Sequence, residues 1–335
     1  MGLTNECGAR RSGWDLRLAG SAALLGAVLP QARADGFDLT VPQASIADAQ
    51  VVAAVTDTRV DTDGLAVYFA RWGARVAHAR ATQPRWSSPL VTTTGLLEQR
   101  VRFDGLQQHS GNGTDTTVLG ADRGVDLIVS ETNEIQVAIP PYYIRTGVTG
   151  TGPSDRGAIP SLAGFSDWPY LRVEQRLASS PASGDDYVLT AWISFQAPTG
   201  IARLSSNAWT YTPTLAFGKG FGNFVVQGTV AAIFPAPTFP TGNQIQTNIA
   251  FQYHAWNVFW PEVEVNWTYY ANGQRGGLNQ VFLTTGVVIG RFSLTDTLHF
   301  TFGAGYLFAV APTYQPKPQI PSYNHAWLFT TRMNF

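Results

Sequence analysis

The sequence predicts an all-β fold: a transmembrane antiparallel β-barrel of about twelve strands, preceded by a short, partly helical N-terminal segment. Three observations carry this expectation. The chain is poor in charge and rich in aromatics, side-chain character alternates with period two from about residue 94 onward, and long and short connections take turns. Of the 335 residues, 13% are charged and 12% aromatic, with a mean hydropathy of −0.03. A soluble domain carries about 25% charged residues, whereas a barrel balances lipid-facing apolar positions with polar positions that face its interior. No apolar run approaches the roughly 18 residues of a membrane-crossing helix. A formal charge of −1 gives no footing for nucleic-acid binding.

The N-terminus has the layout of a secretion signal over residues 1–34. Arg10, Arg11 and Arg17 form a basic region, Leu18–Leu29 an apolar core, and Ala32-Arg33-Ala34 an A-x-A cleavage pattern. The Arg10-Arg11 pair admits twin-arginine export as an alternative. Cys7, the sole cysteine, lies within that segment, so the exported chain is expected to lack thiol and disulfide chemistry. Residues 35–93 are assigned to a periplasmic or plug-like segment. Within it, Leu65, Tyr68, Phe69, Trp72 and Val76 recur every three to four residues, which predicts an amphipathic helix over 65–80. Such a helix can rest on the periplasmic mouth or on lipid headgroups; the alternative is a plug inside the lumen.

Residues 94–335 are assigned to the barrel. In 298–310, Leu298, Phe300, Phe302, Tyr306 and Phe308 alternate with His299, Thr301, Gly303 and Gly305; in 262–270, Val263, Val265 and Trp267 alternate with Glu262, Glu264 and Asn266. Strands are expected near 94–106, 122–130, 133–145, 168–178, 186–197, 208–218, 223–234, 245–256, 260–270, 279–291, 297–309 and 325–335. Their connections at 107–121, 146–167, 198–207, 235–244, 271–278 and 310–324 are long and rich in Gly, Pro, Asn and Ser. Those between are mostly short, as outer-membrane topology requires. Aromatic pairs near strand ends (Trp168 with Tyr170, Trp209 with Tyr211, Trp256 with Trp260, Tyr269 with Tyr270, Tyr323 with Trp327) are expected to form headgroup-level girdles.

The last segment places Trp327, Phe329, Met333 and Phe335 on one face. It resembles the C-terminal signal through which the outer-membrane assembly machinery recognises its substrates. More broadly, residues 85–335 resemble the transporter-like outer-membrane family named for the MetA pathway of phenol degradation. The stretches concerned are Thr93–Asp104, Pro140-Pro141-Tyr142, Asp186–Gly200 and the Trp-Pro-Glu-Val-Glu run at 260–264. The resemblance implies a monomeric barrel passing small hydrophobic or aromatic compounds, and it brings no catalytic residues.

Strand parity turns Glu98, Arg100, Arg102, Asp104, Glu134, Arg172, Glu174, Arg176, Glu262, Glu264 and Arg332 toward the lumen, because a basic residue at mid-membrane on the lipid face costs about 2–4 kcal/mol. These charges form either a salt-bridge network that stiffens the interior or a constriction that selects solutes. Mixed signs argue against strong ion selectivity. Hydrolysis requires a Ser activated by an oriented His. His254 and His299 would face the lumen with Trp256 and Thr301 two residues on, His109 and Ser110 point to opposite faces, and no G-x-S-x-G elbow occurs. No metal-ligating motif is present, and no cofactor is expected. The leading expectation is a passive outer-membrane channel for small solutes, with outer-membrane lipid and the assembly machinery as partners. A barrel that binds through its surface loops, an outer-membrane esterase and a soluble secreted sandwich are the alternatives, in that order.

Overall fold

The computed structural model describes residues 62–335 apart from 122, 149–158, 239 and 317–318. The signal segment 1–34 and the lead-in as far as residue 61 lie outside the described residues. The described residues form two short helices and twelve barrel strands. The strands are β1 (Arg100–His109), β2 (Asp115–Gly120 and Gly124–Ile128), β3 (Asn133–Ala138 and Tyr142–Val148), β4 (Ile159–Phe165 and Trp168–Ser180), β5 (Tyr187–Ala197) and β6 (Trp209–Phe221). They continue with β7 (Phe224–Ala236), β8 (Gln244–Tyr253), β9 (Phe259–Tyr270), β10 (Asn279–Ser293), β11 (His299–Ala311) and β12 (His325–Asn334).

Each strand pairs antiparallel with its sequence neighbours, and β12 returns to β1 in register from Arg100↔Asn334 to His109↔His325. The sheet therefore closes with no free edge, which is what a strand fold needs where no water can satisfy an open edge. Three strands are interrupted for visible reasons. In β3, neither Pro140 nor Pro141 has an N–H to donate to a ladder. In β2, the chain turns at Gly120 and Ala121, both at positive φ, before Arg123 reaches inward. In β4, Ser166 and Asp167 leave the ladder to fasten the loop that follows β5.

Taking the short connections as periplasmic, the barrel's outer surface presents apolar side chains in rows. Phe217, Leu215, Phe103, Val263, Phe302 and Phe329 are exposed, while their sequence neighbours Ala216, Arg102, Glu262 and Thr330 are buried. Trp209 and Tyr211 lie on this exterior at one rim, packed edge-on against Tyr170 and Phe195. The girdle expectation fails for one member of three pairs. Trp260 is buried and stacks on His254 at 4.1 Å, Tyr270 is buried, and Tyr323 packs on Phe282 at 4.6 Å. Parity places the first two on the inner face, where an aromatic fills space instead of meeting headgroups.

The predicted helix is two: α1 (Thr62–Ala70) and α2 (Trp72–Ala81). Both belong to the periplasmic end. The Tyr68 hydroxyl donates to Val129 O at 2.8 Å in the short β2–β3 turn, and Val76 and Ala79 cluster with Leu97 and Ile128. Leu65 and Phe69 remain exposed. Arg176 donates to Ala79 O at 2.8 Å and to the Thr82 hydroxyl at 2.9 Å, placing a cation at the negative end of α2.

The main departure from the sequence reading is the start of β1. Alternation suggests a strand from residue 94, yet pairing begins at Arg100. Residues 83–99 instead pass through the barrel interior. Leu96 and Leu97 are consecutive and both buried, which a wall strand facing lipid on one side would not allow. Trp86, Leu90 and Leu96 form an apolar cluster with Val188, Val225, Val288, Leu307 and Leu328 of the wall. Much of the barrel's apolar core is thus this segment seated against its host.

Candidate functional site

An extended segment inside a barrel has no neighbouring strand to satisfy its amides and carbonyls. A buried group left unpaired costs about 1–3 kcal/mol, so the wall must supply partners from side chains. It does so with charge of both signs. On one side, Glu262 accepts from Leu90 N at 2.7 Å, and the two oxygens of Glu264 accept from Val91 N at 2.7 Å and Thr92 N at 2.6 Å. On the other, Arg332 donates to Pro89 O at 2.7 Å and also to Ser88 O. Arg102 reaches the carbonyls of Pro89 and Leu90, and Arg123 that of Val91 at 3.1 Å. Residues 88–92 are clasped between carboxylates on β9 and guanidinium groups from β1, β12 and the β2 break.

Neutral groups extend the clasp. The Gln227 amide donates to Ser87 O at 2.8 Å and to Gln252 at 2.8 Å, while its carbonyl accepts from the Thr94 hydroxyl at 2.7 Å. Gln252 in turn donates to Glu262 at 2.6 Å, and the Thr190 hydroxyl to Gly95 O at 2.6 Å. Four glycines make room. A Cβ at Gly286, Gly303 or Gly305 would lie within 3 Å of the Leu90 side chain, and one at Gly218 would meet the Trp86 ring at 2.4 Å.

A second cluster of charges adjoins the clasp. Arg100 pairs with Asp126 at 2.7 Å and with Glu98. Arg172 meets Glu134 at 2.9 Å and Glu174 at 3.3 Å, and Glu134 also accepts from Glu98 N. Asp104 joins Arg102 at 2.8 Å to Arg123 at 3.0 Å. Of the eleven charges assigned to the lumen from the sequence, ten are buried on the strands. Glu98 lies on the interior segment itself, and Arg176 serves α2. The sequence reading passed over Arg123, Asp126 and Gln227. Asp126 and Gln227 fall on the inner parity of their strands, whereas Arg123 depends on the break in β2.

Trp327 and Phe329 point outward and are exposed. The Phe335 amide donates to Gln99 O at 3.0 Å and its terminal carboxylate accepts from Arg80 at 2.8 Å. Above the segment, on the extracellular side, opens a cavity of about 330 Å³ with Val91 and Thr93 at its floor. Thr210, Thr212, Thr214, Ser194 and Asn248 line its walls, and the Arg172 guanidinium lies over the Trp192 ring at 5.3 Å. Among the described residues no group of three or more His, Cys, Asp or Glu is placed to hold a metal ion.

A closed barrel with an apolar exterior and charge sequestered inside is an integral β-barrel of the outer membrane. No protein-family model matches the chain, and no curated protein matches it. Among solved structures it is similar to an outer-membrane channel of Pseudomonas putida F1, at 14% identity and a TM-score of 0.46 over 75% of this chain and 100% of that one. The transport unit of the autotransporter AIDA-I from Escherichia coli gives 13% identity and a TM-score of 0.40 over 70% and 88% of the two chains. The KdgM porin gives 8% and 0.37 over 70% and 99%.

Proposed function

We propose that the chain is an outer-membrane channel occluded by its own segment 83–99, which moves aside to let small solutes pass. The observation that carries this is how the segment is held. It has no strand ladder with the wall: apart from one backbone hydrogen bond at its end, Phe335 N to Gln99 O, it is held by side-chain hydrogen bonds, the Glu98–Arg100 ion pair and apolar contacts, so it can leave while the β12–β1 seam stays shut. The expectation of diffusion through a polar, partly occluded lumen is sharpened accordingly, since the charges expected to line the path are engaged in holding what fills it. The extracellular cavity suits small aromatic compounds bearing hydrogen-bonding groups, with Trp192 for stacking and threonine hydroxyls around it. The resemblance to the family named for the MetA pathway is supported by a spatial relation. Two of the stretches that carry it, Thr93–Asp104 and 260–264, are the return of the segment and the carboxylates beside it. The outward apolar face at Trp327, Phe329, Met333 and Phe335 belongs to the same reading, as the surface offered to the assembly machinery.

Planar-bilayer recording tests the channel. Wild-type protein is expected to show brief openings from a closed baseline. In E262Q/E264Q the carboxamide at 264 must turn an N–H toward Val91 N or Thr92 N, and the one at 262 toward Leu90 N or the Gln252 amide; at about 1.5–3 kcal/mol per charged hydrogen bond open probability should rise at least tenfold. Silence from both proteins, each shown folded by a heat-modifiable gel shift, would end the channel reading in favour of a barrel that acts through its loops.

A further inference from the structure

The periplasmic end holds a recess that the occluded-channel reading does not use. It is a cavity of about 340 Å³ between α2, the stem of the interior segment and the ends of β10 to β12. Its charged lining is mainly basic: Arg80, Arg85 and Arg291 face it, with His299 and the neutral Gln83, Gln99, Ser293 and Asn334 beside them, and Leu96 and Leu97 add an apolar part. The one carboxylate on its wall, Glu98, is already taken by Arg100 and by the Ser88 hydroxyl at 2.8 Å. Arg80 gives N–H groups to Gln99 O and to the terminal carboxylate oxygen of Phe335 at 2.8 Å, and Arg291 gives one to Trp86 O at 2.7 Å. Arg85 has no polar partner among the described residues.

Arg291 is not there by strand parity. Along β10 the inner face is occupied by Gln280, Phe282, Thr284, Val288 and Gly290, which would send residue 291 to the lipid side. The ladder with β11 shifts register between Gly290 and Phe292, and from this bulge the guanidinium of Arg291, itself still exposed, reaches Trp86 O on the interior segment, while Phe292 lies on the outer face. Bulges re-aim side chains in this way, at the cost of a local ladder bond. The fold thus brings the Arg291 guanidinium to a recess that Arg80 and Arg85 also line, and Arg85 and Arg291 are exposed there, so an entering anion meets them without first breaking an ion pair.

We infer that this recess is a binding site for a small organic anion: a carboxylate or phosphate that meets Arg85, Arg80 and Arg291, carried on an apolar body that rests on Leu96 and Leu97. The site is reached from the periplasm, opposite the extracellular cavity, and is complete while the interior segment is seated, so binding to the closed barrel can be measured whether or not it conducts.

Calorimetric titration of detergent-folded, full-length protein with benzoate, phenyl phosphate and benzyl alcohol tests it. The two anions share the ring and differ in headgroup, and the alcohol keeps the ring without the charge. Saturable binding of at least one anion, with a Kd of about 1 mM or tighter, is expected, and it should weaken as salt rises. Benzyl alcohol should bind at least tenfold more weakly. Whichever anion binds more tightly identifies the headgroup. R85Q breaks none of the hydrogen bonds that hold the interior segment and should weaken anion binding about tenfold, with R85K recovering most of it. Absence of saturable binding by either anion, equal binding of the alcohol, or R85Q within twofold of wild type would each overturn the proposal.

Discussion

Asp167 shows how a single side chain fastens a loop that the ladder does not reach. Its Oδ1 accepts from Gly200 N at 3.1 Å, and its Oδ2 from Ser206 N at 2.7 Å and the Ser206 hydroxyl at 2.6 Å. Burial penalises the charged carboxylate, but hydrogen bonds from Ser205, Ser206 and Gly200 outweigh it and hold the group below its ordinary range. A depressed carboxyl contributes stability that is present above its unfolded pKa of about 3.9 and is lost as pH falls through the lower folded value. Amide exchange in residues 198–208 should therefore stay slow down to about pH 4 and accelerate below it, beyond the intrinsic pH trend. D167N should exchange faster throughout and lose that acid dependence. An unchanged profile in D167N would show that the loop is held by something else.

The strands illustrate what is legible in a sequence and what is not. Alternation marks which side chains turn inward, because strand geometry fixes that locally, and loop lengths sort the two ends. Glu262, Glu264 and Arg332 were accessible to this reasoning. What they meet was not, since the path of residues 83–99 depends on partners more than 150 positions away, such as Glu262 for Leu90. A segment clasped on all sides also mimics a strand in its amide-satisfying extension, which is why 94–99 reads as the start of β1. Consecutive Leu96 and Leu97 were the available warning. Arg291 was hidden for another reason, as a bulge leaves little trace in hydrophobic pattern. The glycines of β11 read as small polar-face residues, yet they form the groove for Leu90. At Gly305 a Cβ would sit 2.6 Å from Leu90 Cδ1 and 3.2 Å from the nearest backbone oxygen, so the segment is struck before the wall. G305V should unseat residues 90–92 at about 1–3 kcal/mol of overpacking, seen as faster amide exchange there with the barrel's own exchange unaltered. L90A/G305V should regain part of the protection. If G305V exchanges like wild type, the groove does not position the segment.

At the scale of the molecule, two solvents act on one wall. The outside answers to lipid and the inside to the segment and to water in the cavity above it, so adjacent residues of a single strand should respond oppositely to the same substitution. Leu215 and Thr214 in β6 are the natural pair. Leu215 is exposed on the outer face midway along the strand, whereas Thr214 lines the extracellular cavity. Arginine at 215 places a guanidinium against hydrocarbon and should lower the unfolding free energy in lipid vesicles by about 2–4 kcal/mol. Arginine at 214 enters a hydrated, hydroxyl-lined space and should cost less than about 1 kcal/mol, because its charge stays solvated. The contrast also separates a membrane barrel from a soluble one. In buffer, replacing an exposed leucine by arginine usually changes stability within about 0.5 kcal/mol, and crowding the interior at 214 would then be the costlier change. Reversible urea unfolding of L215R and T214R in vesicles gives the order directly, and a larger loss for T214R would mean that the apolar rows outside do not face lipid.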